Sequence, residues 1–253
     1  MSYYEEHAEY EIYSDMRVRK GAYIGLRLDG VAFHTFTKDM VKPFDRDMES
    51  AMDAACKALM ERLSDAHCAY VQSDEITIVF RRDTEWHDRR IEKLLTVPAS
   101  LASVTVSRKL DDVGIFDSRL LVLPNISDVQ VMLHERQLDC RKNAVSTTMY
   151  WHLRQKEKLT ANMAARKMSP LTGRERVAYL MEALGVDRPE DVTDPHDLWG
   201  RLFTREEYTK VGYNPKLKQE EVATRTRVIR SIAPDFWPAK DSYFRETLGI
   251  TYD

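Results

Sequence analysis

The sequence predicts an α+β fold: an antiparallel sheet laid down in the ferredoxin-like order β-α-β-β-α-β, followed by a mainly helical C-terminal extension. Three observations predict it. Short runs rich in Val, Ile, Leu and Tyr recur at strand length up to Pro124. Two segments between those runs have the length and spacing of helices. Beyond Pro124, two stretches open with capping-box signals and continue in long helical patterns.

The first strand is "AYIGLRLDG" (residues 22–30), which runs into Asp-Gly. In "DRDMESAMDAACKALMERL", the residues Ala51, Met52, Ala55, Cys56, Leu59, Met60 and Leu63 fall at i, i+3, i+4 spacing and give a helix one apolar face. Asp45 or Asp47 is placed to cap it. "HCAYVQ" and "ITIVF" form a strand pair around Ser73-Asp74-Glu75, a connection without the Gly, Pro or Asn of an ordinary hairpin loop. "TEWHDRRIEKLL" continues as helix to about Arg108, with a kink expected at Pro98, where a helix hydrogen bond is lost. "SRLLVLP" (residues 118–124) is the fourth strand.

A long helix is expected from Ser127, with Ser127 and Gln130 as a capping box and Ile126 stapled onto Val131. Thr172 and Glu175 form a second box, and the stripe Val177, Leu180, Met181, Leu184 ends at Gly185. A turn-rich connection, "DRPEDVTDPHDLWG", precedes basic "TRTRVIR" and a C-terminal stretch rich in Pro and aromatics. The chain thus divides into a core at 1–124 and a long helix with a helical extension packed on that core at 125–253.

Composition narrows the function classes. A chain of 253 residues, 43% hydrophobic and 31% charged, reads as soluble and globular. No apolar run approaches the ~20 residues that span a bilayer. The acidic, aromatic start is unlike a signal peptide, so a cytoplasmic location is expected. Cys56, Cys68 and Cys140 are odd in number and lack a CxxC pair, which suggests small buried hydrophobes rather than disulfides or zinc. The formal net charge of -3 argues against indiscriminate nucleic-acid binding and leaves room for a local basic face.

On such a sheet, an arrangement shared with polymerase palms and nucleotide cyclases, the end of strand 1 lies beside the turn between strands 2 and 3. Asp29 and Asp74 then meet. Two carboxylates ~3–5 Å apart repel each other, and divalent metal offsets the repulsion. Mg²⁺ takes oxygen ligands and keeps waters, so two aspartates, a backbone carbonyl and substrate phosphates suffice. Gly30 suits the carbonyl role, because a residue without Cβ lets phosphates approach the backbone. In a two-metal site one ion activates the attacking oxygen and both stabilise the transferring phosphoryl group. The bland alternative is a common LDG turn and a solvated SDE turn.

The chain resembles the tRNA-histidine guanylyltransferase superfamily, more specifically its guanylyltransferase-like 3′–5′ polymerase branch. The resemblance is carried, in order over residues 22–159, by "RLDGVAFHTF", "VKPFD", "YVQSDEITIVF", "WHDRRIEK", "FDSRLLVLP" and "RQLDCRKN". It implies a polymerase palm in which Asp29, the Gly30 carbonyl and Asp74 ligate two Mg²⁺, with Glu75 beside them as a third catalytic carboxylate. It also implies that Lys42, Ser73, Arg90 and Lys93 hold a triphosphate, wrapped by the backbone of Gly30, Val31, Ala32, Phe33 and His34. Arg90 and Lys93, spaced i, i+3, can clamp one polyanion together; the alternative for that pair is a solvated helix face.

The resemblance implies template-dependent 3′–5′ nucleotide addition to the 5′-end of tRNA, using ATP and GTP as substrates, by a homotetramer. One departure bears on specificity. Where guanylyltransferases of histidine tRNA carry a His-Ile-Asn-Asn-Leu-Tyr-like run after Asp-Cys, this chain has Arg141-Lys142-Asn143-Ala144-Val145-Ser146. That favours the broader class that repairs 5′-truncated tRNA over strict histidine-tRNA specificity. Arg136, Arg141, Lys142 and Asn143, with Arg154, Lys156, Lys158, Arg166 and Lys167, supply an RNA-facing basic region. A strict histidine-tRNA guanylyltransferase, a palm-type cyclase acting on free nucleotides and a non-catalytic RNA-binding palm are the competing readings.

Overall fold

A computed structural model describes residues 10, 11, 13–214 and 218–236. Its centre is β3 (Glu75–Phe80), buried along its whole length because both faces of the sheet are covered there. Continuous burial explains why "EITIVF" lacks the apolar/polar alternation of a half-exposed strand. β1 (Tyr23–Gly30) and β2 (Ala66–Gln72) flank it antiparallel, and β4 (Phe116–Leu123) pairs outside β1. The order β4-β1-β3-β2 is the ferredoxin-like one that the sequence predicts.

α1 (Arg46–Arg62) and α2 (Ile91–Leu110) cover one face. Leu26, Leu28, Ile76 and Ile78 from the strands pack there on Met52, Cys56 and Leu59 of α1 and on Ala102 and Val106 of α2. Strand alternation turns Tyr23, Cys68, Tyr70 and Val79 to the other face. There they meet Val129, Met132 and Leu133 of α3 (Ile126–Gln155). The long helix is thus the second cover of the sheet. A third cluster joins the far half of α3 to α4 (Ala161–Met168), α5 (Gly173–Leu184) and α6 (Pro195–Trp199). All three cysteines are free and buried.

The structure departs from the sequence reading in particular places. Asp45 caps α1, and Thr172, Glu175 and Gly185 bound α5 as expected. The start of α3 shifts: Asn125 and Asp128 make the capping box, which puts Ile126 inside the helix. α2 begins at Ile91 because His87, Asp88 and Arg89 all take left-handed backbone angles. It then runs through the buried Pro98 without interruption. The turn-rich connection contains a 3-10 turn and α6.

The largest addition is a ribbon. β5 (Arg201–Asn214) and β6 (Gln219–Ile232) pair along their whole length, and β5 extends the sheet beside β2 through residues 201–204. The basic "TRTRVIR" therefore lies in β6. Of the C-terminal aromatic stretch, Phe236 packs edge-on against Tyr70, and residues from 237 onward lie outside the described ones.

Candidate functional site

Three chain segments meet at one end of the sheet: the end of β1, the turn between β2 and β3, and the start of β4. Asp29 stands opposite Glu75 in the β1–β3 ladder and opposite Asp117 in the β1–β4 ladder. The β2–β3 connection is only Ser73-Asp74, closed by a left-handed Ser73 at φ 44°. Asp29 and Asp74 line one cleft of about 230 Å³ together with Arg27, Arg119, Arg136 and Asn143. Burial raises the Asp74 carboxyl above its ordinary pKa and the Asp29 charge adds to the rise, while a hydrogen bond from Ser73 opposes it. Arg119 Nη2 lies 3.7 Å from Asp29 Oδ2.

Glu75 is committed elsewhere. Arg136 Nη1 sits 3.2 Å from its Oε2, and Thr77 and Gln72 donate to its Oε1. Its carboxylate therefore anchors Arg136 of α3 to the sheet. At Gly30 a Cβ would collide with the Phe33 ring, which packs against Phe36 at 4.8 Å and Phe116 at 5.0 Å between centroids. Glycine is required here by close packing as well as by any approaching ligand. Ala32 takes a left-handed conformation (φ 57°) and opens the single helical turn Phe33–Phe36.

A second cleft, of about 330 Å³, lies on the α1 side and shares Ser73 and Asp74 with the first. Phe33, His34 and Lys42 line it, so five of the sequence-designated residues converge there. Lys42 Nζ donates to the Thr37 carbonyl, which braces its stem across the cleft. Asp45 spends its carboxylate on the amides of Val41, Asp47 and Met48, and these bonds hold its pKa below the usual range. Asp197 and Arg201 also line this cleft and were not singled out from the sequence. Burial pushes Asp197 up to about 6, against the pull of the nearby Arg46. Its signal in the sequence was slight, an acid in a turn-rich connection.

Several designated residues stand apart. Arg90 and Lys93 begin α2, whereas Phe33 lies near Val106 in its last turns, each being close to a Cβ built at Gly114. Sixteen residues separate Arg90 from Val106 and thirteen separate Lys93 from it, or ~20–24 Å of helix. The two cations instead flank Glu92, at 3.7 and 3.3 Å. Val31 and Ala32 are exposed and line neither cleft. The basic region divides around α3: Arg136 and Asn143 face the carboxylates, whereas Arg141 and Lys142 face a separate groove toward α5. Arg154 donates to the Leu159 carbonyl and Lys167 pairs with Glu157, so both fasten the helical extension.

The geometry has counterparts among known proteins. A model of the tRNAHis guanylyltransferase family matches residues 4–124. The tRNA(His) guanylyltransferase of Schizosaccharomyces pombe is 29% identical over 238 residues, covering 88% of this chain and 91% of that protein. The tRNA(His) guanylyltransferase of Candida glabrata is 30% identical over 179 residues, covering 65% of this chain and 76% of that protein. The chain belongs to the tRNAHis guanylyltransferase family.

Membership in the tRNAHis guanylyltransferase family makes the chain a nucleotidyltransferase rather than a non-catalytic palm. Solved structures agree in fold. The Saccharomyces cerevisiae tRNA(His) guanylyltransferase aligns with a TM-score of 0.71 at 24% identity, over 78% of this chain and 91% of that one. A bacterial tRNA(His) guanylyltransferase-like protein in complex with ATP aligns at 0.74 and 23% identity, over 98% of both chains. No helix among the described residues is long and apolar enough to cross a membrane.

Proposed function

We propose that the protein adds nucleotides in the 3′–5′ direction to the 5′-end of tRNA, choosing each one against a template base. The observation that carries the reading is the meeting of two clefts at Ser73 and Asp74, with Asp29 lining the second of them. A transfer between two phosphorylated substrates needs two approaches to one centre. The nucleotide takes the α1-side cleft, with its triphosphate near His34, Lys42 and Ser73. The RNA 5′-end takes the other cleft. Bound ATP and GTP in bacterial members of the fold support nucleotides as substrates.

The donor set fits divalent magnesium: hard carboxylate oxygens from Asp29 and Asp74 in a cleft where the two repel each other, with the Gly30 carbonyl next to Asp29 in the chain. No cluster of three His, Cys, Asp or Glu side chains capable of holding a metal occurs among the described residues, so substrate oxygens and water complete the set. Asp29 and Asp74 would hold the Mg²⁺, which when bound would supply charge neutralisation to the carboxylates and to the transferring phosphoryl group. The chain's own residues position. Arg119 and Arg136 border the path of the RNA phosphate, and Glu75 fixes Arg136. The RNA 5′-monophosphate first attacks the α-phosphorus of ATP, releasing pyrophosphate and leaving an adenylylated 5′-end. The 3′-hydroxyl of the incoming nucleotide then attacks the RNA 5′-phosphorus, releasing AMP, and positioning and charge stabilisation dominate such chemistry.

In this reading residues 1–124 form the catalytic core and 125–253 its RNA-binding and assembly extension. Arg90 and Lys93, remote from both clefts of their own chain, contribute to triphosphate binding only by way of another copy, in keeping with the tetramer that the resemblance implies and with the cytoplasmic setting expected from the N-terminal sequence. The names of the relatives favour a second reading, guanylate addition specific to histidine tRNA. Incubation with 5′-truncated tRNAs, each NTP and Mg²⁺ separates them. Addition complementary to the template base on several tRNAs is expected. Untemplated G added to histidine tRNA alone would overturn the proposal.

A further inference from the structure

The groove between α3 and α5 lies outside both clefts, encloses about 580 Å³, and has an unusual lining. Its floor is aliphatic, built from Leu138 and Val145 of α3, Leu171, and Val177 of α5. Its rim carries four guanidinium or ammonium groups, from Arg141, Lys142, Arg174 and Arg176, and no acidic side chain lines it among the described residues. The chain as a whole carries a formal net charge of -3, so this concentration of positive charge is local.

The four cations are held differently. Arg141 sits over the Trp199 ring, its guanidinium carbon 4.4 Å from the centroid, a cation–π contact that holds the head group at the rim with N–H donors left to bond an anion. Arg176 is built into the wall through the Ser146 hydroxyl and the Met168 carbonyl, while its buried Nε–H has no acceptor. Lys142 and Arg174 are exposed and pair with no described carboxylate. A ligand for this groove therefore combines a flat apolar body with negative charge on either side of it.

We propose that the groove receives an unstacked base of the RNA substrate, with the flanking phosphates on Arg141, Lys142 and Arg174. The inference rests on the RNA reading above and adds to it a single-stranded contact behind α3. Arg141 and Lys142 face this groove while Arg136 and Asn143 face the carboxylate cleft, so one helix, ~10 Å across, separates the two. Duplex RNA, whose bases are stacked inside, can offer the rim its phosphates but cannot fill the aliphatic floor. A single strand can do both, with the apolar contact coming from base faces and the charge from its backbone.

The test is equilibrium binding of a fluorescein-labelled single-stranded 12-mer RNA and of a 12-base-pair duplex to the full chain, without NTP or Mg²⁺. The single strand is expected to bind at least tenfold more tightly than the duplex. Lys142→Glu with Arg174→Glu, both exposed positions, is expected to weaken binding of both RNAs at least tenfold with an unchanged thermal midpoint. Val177→Trp, which fills the floor and keeps the charges, is expected to weaken the single strand alone. Equal affinity for the two RNAs, an unaltered single-strand affinity in either variant, or displacement of the RNA by a polyglutamate peptide of equal charge would overturn the inference. The activity reading is tested separately by nucleotide addition at Asp29 and Asp74, so failure of one is distinct from failure of the other.

Discussion

At the scale of single residues, the two aspartates make the sharpest prediction. Asp29→Ala and Asp74→Ala are each expected to lower nucleotide addition by about 10²-fold or more while the chain stays folded, since each removes half of the side-chain donor set. Near-normal addition by either variant would sink that assignment. Glu75→Ala is expected to be milder in activity but to cost stability, about 1–3 kcal/mol, because it strips a buried partner from Arg136. Asp197 gives a pH signature. Its native carboxyl keeps a proton up to about 6, whereas an unfolded aspartate releases it near ~4. The native state then binds more protons in that window, so its stability falls as pH rises through it. Asp197→Asn escapes this loss, and its thermal midpoint relative to the parent is expected to be higher at about pH 7.5 than at about pH 4, by the equivalent of roughly 1–3 kcal/mol. A difference that does not change with pH would contradict the burial argument.

At the scale of elements, what could be read from the sequence depended on whether an element has distinct inside and outside faces. α1 buries one stripe, and that stripe was visible at i, i+3, i+4 spacing. The strands of the core were visible as β-branched and aromatic runs. The ribbon of β5 and β6 was not, because beyond residue 204 only its own two strands pair and Val211, Tyr213 and Val222 are left exposed. A strand without a buried face has no pattern to show. Such a ribbon is marginal in water, so the amides of 206–213 are expected to exchange with deuterium well before those of 201–204; uniform protection along β5 would contradict this. The approach to α2 hid a different device. Arg89 is 2% exposed and donates to the carbonyls of Val18, Arg19, Ala22, Arg82 and Thr84, tying three segments together without an acid. Read as a string, "RRIEK" offers two equivalent arginines, and only the left-handed turn at 87–89 decides which one faces inward. Arg89→Lys is expected to destabilise the chain by roughly 3 kcal/mol or more, since one ammonium cannot reproduce the fork. A midpoint of denaturation close to that of the parent would show the carbonyls find other donors.

At the scale of the whole molecule, spatial convergence was legible where topology dictates it. Asp29 and Asp74 meet because the ferredoxin-like order sets the end of β1 beside the β2–β3 turn. Asp197 and Arg201 join the same site from the far end of the sequence, and nothing in local spacing announces that. Charge behaves likewise. A count of basic residues after Arg136 treats them alike, whereas the fold sorts them by whether an acid of the protein already neutralises them. Arg136 is paired with Glu75 and Asp139, at 3.2 and 3.5 Å. Lys142 is exposed and unpaired among the described residues. Only an uncompensated cation displaces counterions from RNA, and each one so used steepens the fall of log affinity against log salt by about 0.7–0.9. Lys142→Ala is therefore expected to lower that slope by about that amount, alike for every tRNA, since a phosphate contact reads no base. Arg136→Ala is expected to leave the slope nearly unchanged and to show its effect in the rate of addition, through the freed Glu75. Titration of tRNA binding across a range of salt concentrations with the two variants side by side checks both. A slope lowered equally by Arg136→Ala would mean that its pairing with Glu75 and Asp139 gives way to RNA on binding, and that the two faces of α3 act as one phosphate-binding surface.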